Sequence, residues 1–542
     1  MEAGRTADRP GLSSDEVAQR EAAPLHLKDV TVADLEAIGE FAEHAPDNLR
    51  QDYKTAIAWL SEEKKYESVP LGKPQFAAFS GEEVARMVRA GHVLPVAEEE
   101  LHSVRGYAKL FPVLEHREAG WRKRIIKHPI EANIALGKET LLGVSLPSRR
   151  VQEAQAFEGK WAAHVDFAAF FDAIPLTRSV SFQFCFICGD EVFRYTKLLM
   201  GIRHAVDVAE CIARVMANCC EPGVSAQTNV DNTRFVGEDK KAVLKTLITY
   251  YERCAAANLR LNETFSEDLI VQQGTWLGAI FDYEKKLVWN TDKTLSKIEK
   301  SWSLREEWTH KSLACHLSLL FYASRITDVN IGRHFAALKV YRRLSQHLQA
   351  NPSDWKAMAQ ISIAQFQDLG RWTQEVISNT KRGFRGTRKK DADVYLFVDA
   401  SKYGWGAVLY DREFDYCRSY GQRWSNDFNM IQRRRSTTAE PRALIEAAKK
   451  FISPASKRSY VILTDSVTAK AIHNRGYAKA FDVNSWAAAF KELFANVDIR
   501  IEFVAGKDNF ADAPSRGIQE SIKISNLMDY IRRYDLEATV SA

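Results

Sequence analysis

A multidomain α+β fold is what the sequence predicts, and three observations carry it. At 542 residues the chain is longer than one core fills, since cores stop growing near roughly 250 residues, so two to four packed domains are expected. From 108 to 290, short β-rich runs interleave with helical ones; from 291 to about 380 the periodicity is wholly helical. After 393 a compact alternation of strands and helices sets in.

Taken in order, residues 1–72 are charged and Ala-rich, with helical periodicity in VADLEAIGEFAEH and YKTAIAWLSEEKK, and form an N-terminal helical extension. In SGEEVARMVRAG, Ser80 is placed as N-cap, Glu83 as its capping-box partner and Gly91 as the stop, and HVLPV follows as an extended segment. Residues 73–290 make an α+β domain whose strands are read in KLFPVLEH, RKRIIKH, WAAHVDF, VSAQTNV and GTWLGAIFDY. Within it, QTNVDNTRFVG reads as strand, tight turn, strand, with Asp231 beside Asn232.

Residues 291–378 carry amphipathic helices in KTLSKIEKSWSLREEW, CHLSLLFYASRI and GRHFAALKVYRRLSQHL. A basic, Gly-containing linker occupies 379–392. The α/β domain at 393–518 has strands in VYLFVDAS, GWGAVLYD, SYVILTDS and IRIEFVAG, and a helix in TTAEPRALIEAAKKFI. A C-terminal tail fills 519–542.

The formal net charge is only +5, yet WRKRIIKH and KRGFRGTRKK are strongly basic, which suits a phosphate backbone or equally an ordinary solvated face. Of eight cysteines Cys185 and Cys188 form a CxxC pair, and no second CxxC or His pair completes a zinc site, so reduced thiols are expected. No apolar run nears the roughly 20 residues of a membrane span, and MEAGRTADRP has no signal h-region. An intracellular location, cytoplasm or nucleus, and no membrane partner are expected.

Four acidic residues of the last domain fall where one site collects them: Asp399 ends a strand, Glu440 begins a helix, Asp465 ends another strand and Asp512 starts a helix. Singly, each such residue is more often a turn former or cap. Together they repel unless cations neutralise them, and a pair of Mg²⁺ ions does so while activating water for phosphodiester hydrolysis. DASKYGWGAVL, TTAE, TDS and AGKDNFADAPSR together resemble the ribonuclease H domain of retroelement polyproteins. The resemblance implies that Asp399, Glu440, Asp465 and Asp512 are metal ligands and that the RNA strand of an RNA/DNA hybrid is cut. It departs in one respect: IEFVAGKDNF lacks the His many ribonucleases H carry before the last Asp, and only Lys507 is near.

Upstream, RMVRAGHVLPV, AKLFPVLEHREAGWRKRIIKHPIEAN, HVDFAAFFDAIPL, YTKLLMGIRHAVDVAE, TNVDNTRFVG, NLRLNETF and TWLGAIFDY resemble a retrotransposon reverse transcriptase. The arrangement looks most like the polymerase frame of DIRS-type or VIPER-type elements. That resemblance implies a right-hand polymerase with fingers and palm, a helical thumb or connection, and a C-terminal ribonuclease H-like domain. It implies an RNA template, a DNA primer and dNTPs as partners, and Mg²⁺ or Mn²⁺, two per active site.

By the same resemblance Asp166 and Asp231 hold the polymerase cations, Phe171 underlies the sugar and rejects a ribose 2′-OH, and Arg122 grips the triphosphate. A core aromatic and one charge in a basic strand are the plain readings of those last two. Several positions depart from the family pattern: Asn232 replaces a second Asp, Leu199 and Met200 stand where Pro and a hydrogen-bonding Gln are customary, Val206 replaces another Pro, and Phe265 stands near an expected lysine. Asn232 leaves three readings open: a working polymerase with a ligand to spare, a protein keeping only hybrid nuclease activity, and a non-enzymatic nucleic-acid scaffold. Asp172, six residues past Asp166, is read as a solvated charge, with added charge near Asp166 as the alternative.

Overall fold

The computed structural model describes residues 22–27, 31–61, 73–117, 120–135, 141–144, 146–385, 392–518 and 523–540. Residues 386–391, which include the basic Arg388, Lys389 and Lys390, and parts of the N-terminal extension and C-terminal tail lie outside them. The fold class is multidomain α+β, in two units: the first reaches Trp276 and takes back Asp282–Lys286, and the second holds Leu277–Phe281 and the chain from Leu287 on.

The first unit runs α1 (Leu35–Glu43), α2 (Asp47–Ser61), α3 (Gly81–Arg89), β1 (Lys109–Arg117), β2 (Gly120–His128), β3 (Trp161–Asp166), α4 (Phe170–Ala173), α5 (Ala205–Ala217), β4 (Val224–Asn229), β5 (Asn232–Gly237), α6 (Lys240–Ala256) and β6 (Ile270–Val271). The capping box of α3 forms as its sequence dictates: Ser80 Oγ accepts from Glu83 N at 3.2 Å, and Glu83 Oε2 accepts from Ser80 N at 3.0 Å. Gly91 takes φ +74° just beyond it, and the HVLPV segment contributes a short strand, Val93–Pro95.

The N-terminal helices are not a separate layer. Ile38, Ala42, Tyr53, Ala56 and Trp59 share one core with Val208, Ala209 and Ile212 of α5.

The four-stranded sheet of this unit that carries Asp166 has the order β4-β5-β3-β6 and is antiparallel throughout. One face packs α5 and α6. On the strands, buried Arg234 donates to Gln152 O, Gln155 Oε1 and Gln227 Oε1, and His164 meets Tyr283 Oη at 2.6 Å. With partners supplied on both sides, β5 is buried almost end to end instead of alternating. β1 and β2 form a two-stranded hairpin from Lys109↔His128 to Arg117↔Gly120.

The second unit begins with α7 (Asp292–Ser303), α8 (His310–Thr327), α9 (Phe335–Ala350) and α10 (Ile363–Ile377), packed through Ile298, Leu317, Leu320, Leu338, Leu369 and Trp372. It continues with β7 (Val394–Ala400), β8 (Gly404–Asp411), β9 (Tyr416–Arg423), α11 (Ser436–Phe451), β10 (Ser459–Thr464), α12 (Val467–Arg475), α13 (Phe481–Leu493), β11 (Asp498–Phe503), α14 (Asp512–Ser515) and α15 (Ile524–Val540). The helical segment is joined to this α/β part: Asn484 Nδ2 donates to Gly332 O at 2.7 Å, and Asn330 Nδ2 to Ala488 O at 2.9 Å.

The five strands lie in the order β9-β8-β7-β10-β11. β7, β10 and β11 run parallel, and β8 and β9 pair antiparallel. α11 covers one face through Ala443, Leu444 and Ala447, and α15 covers the other through Leu527 and Ile531. Among the described residues no helix is long and apolar enough to cross a membrane.

Candidate functional site

The central strands of the second unit's sheet deliver the first acidic set. Asp399 is the penultimate residue of β7 and lies opposite Gly406 of β8. A Cβ at Gly406 would stand 2.3 Å from Ser515 N and 2.6 Å from Ala511 O, so the glycine is what lets the segment carrying Asp512 settle on the sheet beside Asp399. Asp465 follows the last residue of β10, and Gly506 approaches it so closely that a Cβ there would lie 3.2 Å from Asp465 Oδ2.

Glu440 was expected to begin a helix. It instead sits one turn inside α11, because the helix already starts at Ser436. Pro441 follows it, and its carbonyl accepts from His473 Nε2 of α12 at 3.2 Å, which ties that turn to its neighbour.

One carboxylate oxygen from each of Asp399, Glu440 and Asp465 falls within 4.8 Å of the others. Asp512 stands at the margin, with Oδ1 held by Arg516 Nη2 at 2.8 Å and Nε at 3.1 Å. Asp399 is 5% and Glu440 7% exposed, and Glu440 Oε2 is buried without a hydrogen-bond partner. A set of three converging carboxylates that includes an orphaned, buried oxygen fits a hard divalent cation, which would supply the missing partner and the missing positive charge.

The electrostatics state the same need. Burial, then the charges of Asp399 and Asp465, push Glu440 up to about 9. Asp399 is pushed up to about 6, by burial first and against a Ser515 hydrogen bond, with Asp465 and Asp512 adding to the rise. Asp465 is raised as well, mainly by burial.

A carboxyl with a raised folded pKa binds more protons folded than unfolded. Without a cation its stabilisation is full below about pH 4 and is lost as pH rises through about 6 for Asp399 and about 9 for Glu440. A bound cation would take over the role of those protons. The upward shift of the melting temperature by Mg²⁺ is therefore expected to be larger at about pH 8.5 than at about pH 6. Glu440→Gln should flatten that pH dependence, and equal shifts at both pH values in wild type would refute it.

In the first unit, β4 and β5 are joined by Val230 and Asp231, with Asn229 opposite Asn232. Val230 holds φ +63°, unusual for a β-branched residue, and the turn is fixed from beneath by Glu210 of α5. That fully buried carboxylate accepts from Val230 N and from Thr228 Oγ1, each at 2.6 Å. Asp166 at the end of β3 lies opposite Asn232, and Phe167 N donates to Asp231 O at 2.8 Å, so both acidic residues occupy the same end of the sheet.

Each has an amide partner. Asn232 Nδ2 donates to Asp231 Oδ1 at 2.8 Å and Asn262 Nδ2 to Asp166 Oδ2 at 2.5 Å. An Asp at 232 would set a second carboxylate where the amide now donates.

The remaining sequence-named residues are dispersed. Phe171 is buried in α4, edge-on to Phe170. Arg122 is committed to its cross-strand neighbour Glu115, whose Oε2 accepts from Nη2 at 2.7 Å and Nε at 2.9 Å. Met200 is half exposed, with its sulfur 3.9 Å from Arg124 Nη2. Lys507 is exposed in a short 3-10 turn, and Phe265 packs edge-on to Tyr251.

Asp172 is not a freely solvated charge. Burial works to raise its pKa, but Lys127 and His92 beside it outweigh that and hold the carboxyl well below the usual range. Cys185 and Cys188 form no disulfide, and burial pushes the Cys185 thiol up to about 12.

Three residues went unread in the sequence. Glu210 anchors the Asp231 turn, and Arg516 holds Asp512. Glu263 Oε2 accepts from Asp166 N at 3.0 Å, and its own pKa is raised by burial and by Asp166. The spacing Asp512 to Arg516, one helical turn, was the only local signal among them.

No family model and no curated protein matches the chain. Among solved structures it is similar to a foamy viral protease-reverse transcriptase dRH in complex with double-stranded DNA, at 13% identity and TM-score 0.45, over 89% of this chain and 84% of that one. A foamy viral protease-reverse transcriptase in complex with an RNA/DNA hybrid is similar at 13% identity and TM-score 0.44, over 92% and 66%. A further one in complex with double-stranded DNA gives 14% identity and TM-score 0.42, over 89% and 99%.

Proposed function

We propose that the chain is an RNA-directed DNA polymerase with ribonuclease H activity, extending a DNA primer with dNTPs on RNA and cutting the RNA of the resulting hybrid. The observation that carries the reading is the convergence of Asp399, Glu440 and Asp465, with Glu440 Oε2 buried and unpartnered, at the carboxyl end of parallel strands. The sequence motifs of the first unit extend it to polymerisation, with Asp166 and Asp231 at one end of an antiparallel sheet.

Two bound Mg²⁺ or Mn²⁺ ions per site would activate the attacking oxygen and stabilise the leaving one. Asp399, Glu440 and Asp465 would hold them for cleavage, with Asp512 released from Arg516 to complete the set. Asp166 and Asp231 would hold them for extension. The β7 and β10 strand ends fix the spacing of the nuclease carboxylates, and the Glu210-braced turn fixes Asp231.

A second reading, a nuclease whose polymerase half is silent, draws on one contrast. Both polymerase carboxylates are hydrogen-bonded by amides, whereas the nuclease set keeps an orphaned oxygen. Primer extension on RNA and cleavage of an RNA/DNA hybrid, each with Mg²⁺ and with Mn²⁺, separate the two. Cleavage without extension selects the second reading, and neither activity refutes both.

Where extension occurs, Phe171→Leu is expected to raise ribonucleotide relative to deoxyribonucleotide incorporation by on the order of tenfold, by shortening the aromatic under the sugar. An unchanged ratio would make Phe171 a core residue only.

A further inference from the structure

The helical segment of the second unit holds another group of metal-capable side chains, made of nitrogen as well as oxygen donors. His310 opens α8, His347 lies in the last turn of α9, and Asp354 begins a 3-10 turn, Asp354–Lys356, shortly after. One donor atom from each falls within 4.8 Å of the others. His347 Nε2 is 2.5 Å from Asp354 Oδ2, and the two imidazole rings meet edge-on with centroids 4.9 Å apart.

His310 Nδ1 lies 3.7 Å from Asp354 Oδ2 and donates its N–H to the Asp354 carbonyl at 2.9 Å, which ties its ring to the turn bearing the carboxylate and leaves Nε2 as the nitrogen that would hold an ion. The three side chains line a cleft of about 450 Å³ and are open to solvent, His347 most of all, so an ion and a water have access.

We infer that His310, His347 and Asp354 form a binding site for a divalent transition-metal ion of the zinc class, independent of the two acidic sites. The donor set decides the ion. Two imidazoles and one carboxylate suit Zn²⁺ or Co²⁺, whereas Mg²⁺ and Ca²⁺ prefer oxygen alone. Three protein ligands leave a fourth position for water.

Ligand atoms around a tetrahedral ion at about 2.0–2.2 Å stand roughly 3.3–3.6 Å apart, so small rotations of the exposed His347 and Asp354 side chains close the set. The ion would replace the hydrogen bond between His347 and Asp354. It would also pin the start of α8 to the end of α9, two helix ends that the sequence separates by a full helical hairpin.

The test uses full-length protein stripped with a chelator and titrated with Co²⁺, whose tetrahedral complexes absorb strongly in the visible. The expected result is one equivalent of tetrahedral Co²⁺ that Zn²⁺ displaces, retained in Asp465→Asn. His347→Ala and Asp354→Asn, each checked by circular dichroism to be folded, should lose that band and weaken Zn²⁺ binding by on the order of 100-fold or more. No tetrahedral band in wild type, or a band unchanged in both variants, overturns the site.

Discussion

Asp465→Asn is expected to lower cleavage of the RNA strand of an RNA/DNA hybrid by on the order of 10³-fold or more, about 4 kcal/mol of barrier, and to leave primer extension unchanged. The substitution keeps the shape of the side chain and removes one charge from the three carboxylates that meet within 4.8 Å. A loss of cleavage therefore reads the charge of the set and not its packing. Asp465 belongs to the second unit and Asp166 and Asp231 to the first, so the two activities are scored separately on one preparation.

Metal-free stability gives an independent check. Asp465 contributes to the repulsion that raises Glu440 and Asp399, so its neutralisation should leave the melting temperature unchanged or higher in chelator, while Mg²⁺ should shift it less than in wild type. Asp512→Asn, at a residue already engaged by Arg516, should cost less cleavage. Cleavage by Asp465→Asn within about tenfold of wild type would remove Asp465 from the site.

The parts of this molecule that the sequence discloses are those fixed by local rules. The capping box of Ser80 and Glu83 specifies α3 from four residues, and the apolar runs ending in Asp399 and Asp465 become neighbouring parallel strands. The turn at Asp231 is legible from its flanking strands.

What stays hidden depends on distant partners or on surfaces that need no apolar signature. Glu210 reads as one charge on an amphipathic helix until the fold brings the Val230 turn over it. Tyr416–Arg423, a polar edge strand exposed along most of its length, offers no alternation to detect. The helices of the N-terminal extension show their periodicity but not that they complete the core of the following domain. Gly406, like the Asp512 to Arg516 spacing, is a readable hint among the missed features. A glycine inside a strand signals the close approach of another backbone, and here that backbone leads into Asp512.

Asp231→Ala is the second large effect: primer extension should fall by on the order of 10³-fold while hybrid cleavage persists. The turn is held by Glu210 through Val230 N and Thr228 Oγ1, neither of which the substitution touches, so the hairpin should remain in place. Asn232→Asp then asks what the amide is for. In the metal-free protein Asn232 Nδ2 donates to Asp231 Oδ1, and an Asp exchanges that hydrogen bond for a like-charge contact worth about 1–3 kcal/mol against the fold.

With cations bound the added charge is compensated. If the amide is an adapted part of a working site, extension changes by less than about tenfold and metal-free stability drops. A gain in extension of about 100-fold or more would instead mark Asn232 as the lesion of a decayed polymerase, and an Asp231→Ala variant as active as wild type would take Asp231 out of catalysis altogether.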